Sequence, residues 1–203
     1  MNYEIKLIVL DAYGVCLNEG YPNTSKYLAK KYHKNWQVVQ NILYAKYFSQ
    51  AALKQISQKV AWQKAIQELE LPLSVEQLKR IHYGLMKTNP KVLGLATKLK
   101  KHYTVALLSK NTREQFRDVN KKFPELKKVF GKNLINTWEY GLPKASRETM
   151  EFLCKRFNVK PAEIAYFDDQ ASNLKAPKQM GARTILYKNF AQFLQALKKL
   201  TTL

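Results

Sequence analysis

Apolar positions along this chain follow two different rhythms. Short, nearly unbroken apolar runs occur at residues 5–10 ("IKLIVL"), 103–108 ("YTVALL"), 133–137 ("NLINT"), 164–167 ("IAYF") and 183–187 ("RTILY"). Each is rich in Val, Ile, Leu or Tyr and is bounded by polar or turn residues, as expected of strands buried on both faces. Between them, over 91–101, 112–121, 146–157, 171–180 and 189–200, apolar residues recur with helical spacing. Strands alternating with amphipathic helices predict an α/β layered fold on a mainly parallel sheet.

The first connection breaks the alternation. About ninety residues separate the first strand from the second, where a simple strand–helix–strand crossover needs roughly thirty in all. Helical spacing runs through "TSKYLAKKYH", "WQVVQNILYAKYF", "KVAWQKAIQELEL" and "SVEQLKRIHYGLM". In "LPLSVEQL" a proline break is followed by Ser74 as N-cap and then Gln77, a capping-box pattern. Residues 18–88 therefore read as an inserted helical bundle, with Tyr27, Tyr32, Trp36, Tyr44, Tyr47, Phe48 and Trp62 supplying its core. His33, His82 and His102 fall in helical or helix-end contexts without ligand spacing and read as surface or capping residues.

The chain's 203 residues suffice for one sizeable core or a core domain carrying a smaller insert. The longest apolar runs fall far short of the roughly 20 residues that cross a bilayer. No basic-then-apolar leader precedes "IKLIVLD". The expectation is a soluble, cytoplasmic protein. Cys16 and Cys154 lie far apart without metal-ligand spacing and read as buried free thiols.

Charge adds a second constraint: 35 Lys+Arg against 15 Asp+Glu give a formal +20. Such a field draws in anions, whether nucleic acid, phosphorylated metabolites or an anionic membrane surface, without choosing among them. The basic residues come mostly as scattered pairs, which favours a solvated basic surface over a nucleic-acid site. The basic amphipathic segment "KNFAQFLQALKKLTTL" is expected to pack on the sheet with its lysines in water.

In an open parallel sheet, ligands bind beyond the carboxyl ends of the strands. Asp11 follows "IKLIVL", Ser109 follows "YTVALL", Asp168 and Asp169 follow "IAYF", and Lys144 lies in a loop, "YGLPKAS", before a helix. Any one of these could be a turn or cap residue. Together they would bring three carboxylates, a hydroxyl and an ammonium into one crevice. Carboxylates that close repel one another unless a cation is present, and Mg²⁺ is the hard, oxygen-seeking ion that suits them.

The order "LDAYGV", "ALLSKN", "GLPK" and "IAYFDDQASNLKAPKQMGARTILY" resembles the four motifs of the haloacid dehalogenase superfamily. The fourth segment resembles the phosphatase-like branch that includes the N-terminal domain of mammalian soluble epoxide hydrolase. The motifs span residues 6 to 187. The resemblance implies a Rossmann-like core over 1–17 and 89–203, with residues 18–88 in the place of that family's helical cap.

The resemblance also implies roles. Asp11 would be the nucleophile, forming an aspartyl intermediate. Ser109 would hydrogen-bond a substrate oxygen, with Lys110 and Asn111 following it in the substrate-binding segment. Lys144 would hold the nucleophile and neutralise transferred charge. Asp169 would coordinate Mg²⁺, with Asp168 beside it as a direct or water-mediated ligand, and Tyr13 would reach the ion through its backbone carbonyl. The Gly14 amide region would cradle an oxyanion, and Asn173, at the later polar position of the fourth motif, would belong to the substrate-binding set.

Two departures divide the readings. Phosphate-ester hydrolases of the superfamily carry a second Asp, as general acid, where this chain has Tyr13. With a usual pKa of about 10, tyrosine is a poor acid for that step. "DAYG" is instead similar to the 2-haloacid dehalogenases, which use no metal and whose halide leaves without a proton. Against them, Val15 and Lys110 replace their usual threonine and asparagine, the first arginine is Arg80, and "FDDQASN" keeps the adjacent acids of metal-dependent members. The primary expectation is a Mg²⁺-dependent, phosphatase-type hydrolase on a small anionic, phosphorylated substrate. The alternatives are a carbon-attacking dehalogenase and a non-catalytic anion-binding member whose basic surface contacts a partner or nucleic acid.

Overall fold

The computed structural model describes residues 4–201; the expected core range runs beyond these at 1–3 and 202–203. In chain order the elements are β1 (Leu7–Asp11), α1 (Gly20–Lys31), α2 (Trp36–Gln40), a π-helical stretch (Asn41–Phe48), α3 (Ser49–Ala52), α4 (Gln58–Glu68) and α5 (Val75–Gly84). Then come α6 (Pro90–Leu99), β2 (Thr104–Ser109), α7 (Arg113–Lys122), α8 (Pro124–Phe130), β3 (Leu134–Asn136) and α9 (Arg147–Phe157). β4 (Ile164–Asp168), α10 (Lys175–Gln179), β5 (Arg183–Leu186) and α11 (Phe190–Leu200) complete the chain. The five expected strands all form. Of the expected helices, 171–180 divides into a 3₁₀ turn, Ala171–Leu174, and the short α10. The chain separates into two compact units, one of residues 1–18, 88–110 and 123–203, the other of residues 19–87 and 111–122.

The first unit is built on a wholly parallel sheet of order β3-β2-β1-β4-β5. β1, β4 and all of β2 after Thr104 are buried, which explains their continuous apolar sequences. One face carries a core of Leu7, Val9, Leu108, Met150, Leu153 and Tyr166 among others. Burying each large aliphatic side chain stabilises the fold by about 1.5–3 kcal/mol. α11 buries Phe193 and Leu197 and meets the sheet through Phe193, whose ring stands at 90° to that of Phe167 with centroids 4.7 Å apart. Lys198 and Lys199 remain exposed. Cys16 is buried and Cys154 half-buried; both are free.

Chain order and strand order diverge at one place. From β1 the sheet grows outward through β2 to β3, then the chain returns to lay β4 on the opposite side of β1. The carboxyl ends of β1 and β4 therefore flank a switch point, the place where such sheets open a crevice. Leu10 pairs with Phe167 and Asp11 with Leu108, so Asp11 and Asp168 end adjacent strands.

The second unit is helical. The Ser74–Gln77 capping box forms at the start of α5, and Leu28, Leu43, Trp62 and Leu78 are buried. The aromatic residues divide otherwise than the sequence suggests. Phe48 and Trp62 are core residues, but Tyr27, Trp36 and Tyr44 are exposed and Tyr32 and Tyr47 half-buried. Their turns place them on outward faces, and the core is filled instead by Tyr21 and aliphatic residues.

His82 also departs from its surface reading, being 1% exposed. Thr24 Oγ1 donates to Gly20 O at 3.0 Å and so accepts from His82 Nδ1 at 2.8 Å. His82 Nε2 then accepts from Gln115 Nε2 at 3.1 Å. Tyr21 hydroxyl donates to Gln115 Oε1, Gln58 Nε2 donates to Tyr21 Oη, and Thr112 Oγ1 donates to Gln58 Oε1. Each donor in this chain meets one acceptor, which assigns a neutral, Nδ1-protonated imidazole. The network also explains why α7 groups with the helical unit, although its sequence lies between two strands.

Candidate active site

β1 is stiff, buried and fully paired, so it delivers the Asp11 carboxylate to a fixed point at the end of the strand, 2% exposed. The chain then turns away sharply. Ala12 N–H donates to Asp11 Oδ1, Leu17 N–H to Ala12 O, and Gly14 N–H to Leu17 O. Gly14 sits at φ +82°, a conformation costly to a residue with a Cβ. Tyr13 is half-buried in this turn, where its backbone forms an isolated bridge with Leu17.

Asp168 ends β4 and is fully buried. Its Oδ1 accepts from Gln170 N–H and from Asn173 Nδ2, both at 2.9 Å. The Asn173 side chain thus helps to fix Asp168. The Asp169 carboxylate lies against Gly14, where a Cβ would stand 2.1 Å from Asp169 Oδ2.

Lys144 comes from the loop before α9. Thr149 in the first turn of that helix donates to Pro143 O, and Ser146 caps it by accepting from Thr149 N–H. Held so, Lys144 places Nζ 2.6 Å from Asp11 Oδ2 and 3.1 Å from Asp168 Oδ2. Asp168 Oδ2 is buried, and the Lys144 ammonium is its partner.

Ligand oxygens of Asp11, Asp168 and Asp169 lie within 4.8 Å of one another. Three carboxylates thus face one ammonium. Burial pushes the Asp11 carboxyl up, Lys144 opposes it, and Asp168 and Asp169 push it further, to about 8. Burial alone would lower Lys144, but Asp11 and Asp168 outweigh it and hold the ammonium above the usual lysine range. A divalent cation bound by oxygen would neutralise the negative charge that Lys144 leaves uncompensated when all three carboxylates are ionised. The residues present fit Mg²⁺.

Of the other residues expected at the site, Ser109 is buried at the end of β2 and Lys110 is half-buried after it, whereas Asn111 groups with the helical unit. Two groups escaped the sequence reading. Asn136, buried, ends β3 level with Ser109 in the register; its position after "NLI" was the available signal. Tyr166, two residues before Asp168, is buried with a hydroxyl that makes no hydrogen bond within the protein. Burial, with Asp168 and Asp11 adding to it, raises that phenol well above its ordinary value; in sequence it is one more strand aromatic.

Known proteins resemble this chain in sequence and in architecture. The mouse (Mus musculus) bifunctional epoxide hydrolase 2 is 38% identical over 68 residues, a segment that is 34% of this chain and 12% of the mouse protein. A HAD family enzyme of Bacteroides thetaiotaomicron, crystallised in complex with magnesium and inorganic phosphate, superimposes with a TM-score of 0.72 at 21% identity, over 91% of this chain and 94% of that one. An L-2-haloacid dehalogenase of Xanthobacter autotrophicus with chloropropionic acid covalently bound gives a TM-score of 0.65 at 14% identity, over 96% and 83%. At these identities the two structures speak for the fold. The family model for haloacid dehalogenase-like hydrolases matches residues 5–181, and with a match of that extent the chain belongs to the haloacid dehalogenase-like hydrolase family.

Proposed function

We propose that this protein is a Mg²⁺-dependent phosphohydrolase of that family, acting on a small phosphorylated substrate with a good leaving group. The observation that carries the reading is charge: the three clustered carboxylates, which push the Asp11 carboxyl up to about 8 while no cation is bound, have one ammonium among the described residues, Lys144, and when all ionised leave two negative charges, the amount one divalent cation neutralises. Asp11, Asp168, Asp169 and the Tyr13 carbonyl would hold the ion. When bound, it supplies a Lewis-acidic positive charge to the phosphoryl oxygens.

Asp11 acts as nucleophile. An oxygen of its carboxylate bonds to phosphorus as the bond to the leaving-group oxygen breaks, giving an aspartyl phosphate and the alkoxide or phenoxide of the leaving group. Water then attacks phosphorus, releasing inorganic phosphate and restoring the carboxylate. Lys144 orients Asp11 and neutralises charge transferred to it, and Ser109 donates to a phosphoryl oxygen. Asn173 keeps Asp168 from rotating, since it binds one oxygen and leaves the other to the cluster. Tyr13 stands where a carboxylic acid would protonate the leaving group, so substrates whose leaving group needs no proton are favoured. The helical unit is assigned the role of a cap that selects substrate. The two free thiols fit a reducing, cytoplasmic setting.

A second reading, attack of Asp11 at carbon with departure of halide, is favoured by Tyr13 alone. A leaving-group series of aryl and alkyl phosphates, run beside 2-chloropropionate with and without Mg²⁺, tests both. The proposal expects Mg²⁺-dependent turnover that falls steeply from p-nitrophenyl to alkyl phosphates. Tyr13→Asp should flatten that slope, raising alkyl-phosphate turnover by about 10²–10⁴-fold. Metal-independent halide release would replace the proposal with the second reading. No turnover of any substrate, with Mg²⁺ bound, would leave a non-catalytic anion-binding protein.

A further inference from the structure

Between Glu19 and Glu68 the chain carries eight lysines and no acidic side chain. The first part of this stretch is exposed on α1 and at the start of α2. Lys26, Tyr27, Lys30 and Lys31 point to solvent, Tyr32 is half-buried, and Trp36 is 43% exposed. Rings and ammonium groups interleave there. Lys26 Nζ lies 5.8 Å from the Trp36 ring centre, and Lys31 Nζ lies 5.8 Å from that of Tyr27 and 5.5 Å from that of Tyr32. Packing does not require this arrangement, since the core of the helical unit is filled by other residues.

We propose that this surface binds single-stranded nucleic acid, with Lys26, Lys30 and Lys31 on successive phosphates and the rings of Tyr27, Tyr32 and Trp36 stacking on unpaired bases. Lysines alone would suit any polyanion. The rings distinguish the partner, because only a strand with unpaired bases presents π faces between its phosphates. In a duplex those faces are already stacked. A bilayer is the poorer fit: an inserting helix separates its apolar face from its basic one, whereas here an ammonium lies near each ring. A base can displace that ammonium toward the neighbouring phosphate. The inference rests on the helical unit alone and does not depend on the reaction at Asp11.

Fluorescence anisotropy of a labelled oligouridylate against the whole protein, over a series of salt concentrations, tests it. Trp36→Ala combined with Tyr27→Ala should weaken binding by roughly tenfold or more with the salt slope unchanged. Replacing Lys26, Lys30 and Lys31 by Gln should lower the slope by about 2. Replacing the exposed Lys127, Lys128 and Lys132 of the sheet unit by Gln removes the same charge and should change both quantities much less. Thermal unfolding of each variant verifies that the fold persists. The proposal is overturned if the ring substitutions have no effect while both lysine triples weaken binding equally, which would mean a general positive field. It is also overturned if a duplex of equal length or phosphatidylserine vesicles bind as tightly as the single strand, or if no binding occurs at low salt.

Discussion

The Asp169 carboxylate rests on Gly14 so closely that a Cβ at residue 14 would stand 2.1 Å from Asp169 Oδ2 and 2.9 Å from its Cβ. The turn after Asp11 and the end of β4 are therefore built to one another's dimensions. Gly14→Ala should displace Asp169 and also force alanine into the left-handed region, at a backbone cost of about 1–2 kcal/mol. The expected result is a lowered melting temperature together with weakened Mg²⁺ binding by calorimetry. Unchanged Mg²⁺ affinity would show that Asp169 is not a ligand.

Lys144 is the cluster's only cation among the described residues. Lys144→Met should destabilise the metal-free protein by about 3–5 kcal/mol, because it leaves buried carboxylates unpaired. Mg²⁺ should then raise the melting temperature of the variant more than that of the wild type. Equal shifts in the two would mean that ion and lysine do not share the same carboxylates.

Asn173 holds Asp168 through one hydrogen bond at 2.9 Å, and Gln170 N–H supplies another. Asn173→Ala should therefore cost only about 1–2 kcal/mol of stability. It should lower kcat more than it raises KM, with Asn173→Ser recovering part of the loss. A change confined to KM would return Asn173 to the substrate-contacting role that its motif position suggests.

His82 gives the helical unit a pH dependence. Burial lowers its pKa from 6.5 to about 3. The groups around it are the neutral Thr24 and Gln115 and the rings of Tyr21, Trp62 and Tyr83. Folding thus favours the neutral imidazole. Its contribution is complete above about pH 6.5, declines by about 1.4 kcal/mol per pH unit below that, and levels off near pH 3. Between pH 7 and pH 5 the wild type should lose about 2 kcal/mol more than His82→Asn in denaturant unfolding. Parallel pH profiles would mean that folding leaves the imidazole pKa unshifted and would contradict this account of His82.

Much of this was legible in the sequence, for physical reasons. A parallel strand buried on both faces has to be a continuous apolar run, so "LIVL" and "IAYF" marked β1 and β4, and a carboxylate directly after such a run had to lie at the carboxyl end of the sheet. Tyr27 and Trp36 were misread because helical spacing says which residues share a face, not which face is covered. His82 was misread because its partners Thr24 and Gln115 lie far away along the chain. The bond from Asn173 to Asp168 was not legible, because a motif position does not show where a side chain points.

Attack of Asp11 on phosphorus would leave a phosphorylated carboxylate that can be trapped. Wild-type enzyme with Mg²⁺, acid-quenched within a single turnover of an aryl phosphate labelled at phosphorus, should carry the label on the peptide containing Asp11. Asp11→Asn should carry none. Product formed by the wild type with no labelled peptide at any quench time, or turnover retained in Asp11→Asn, would contradict it.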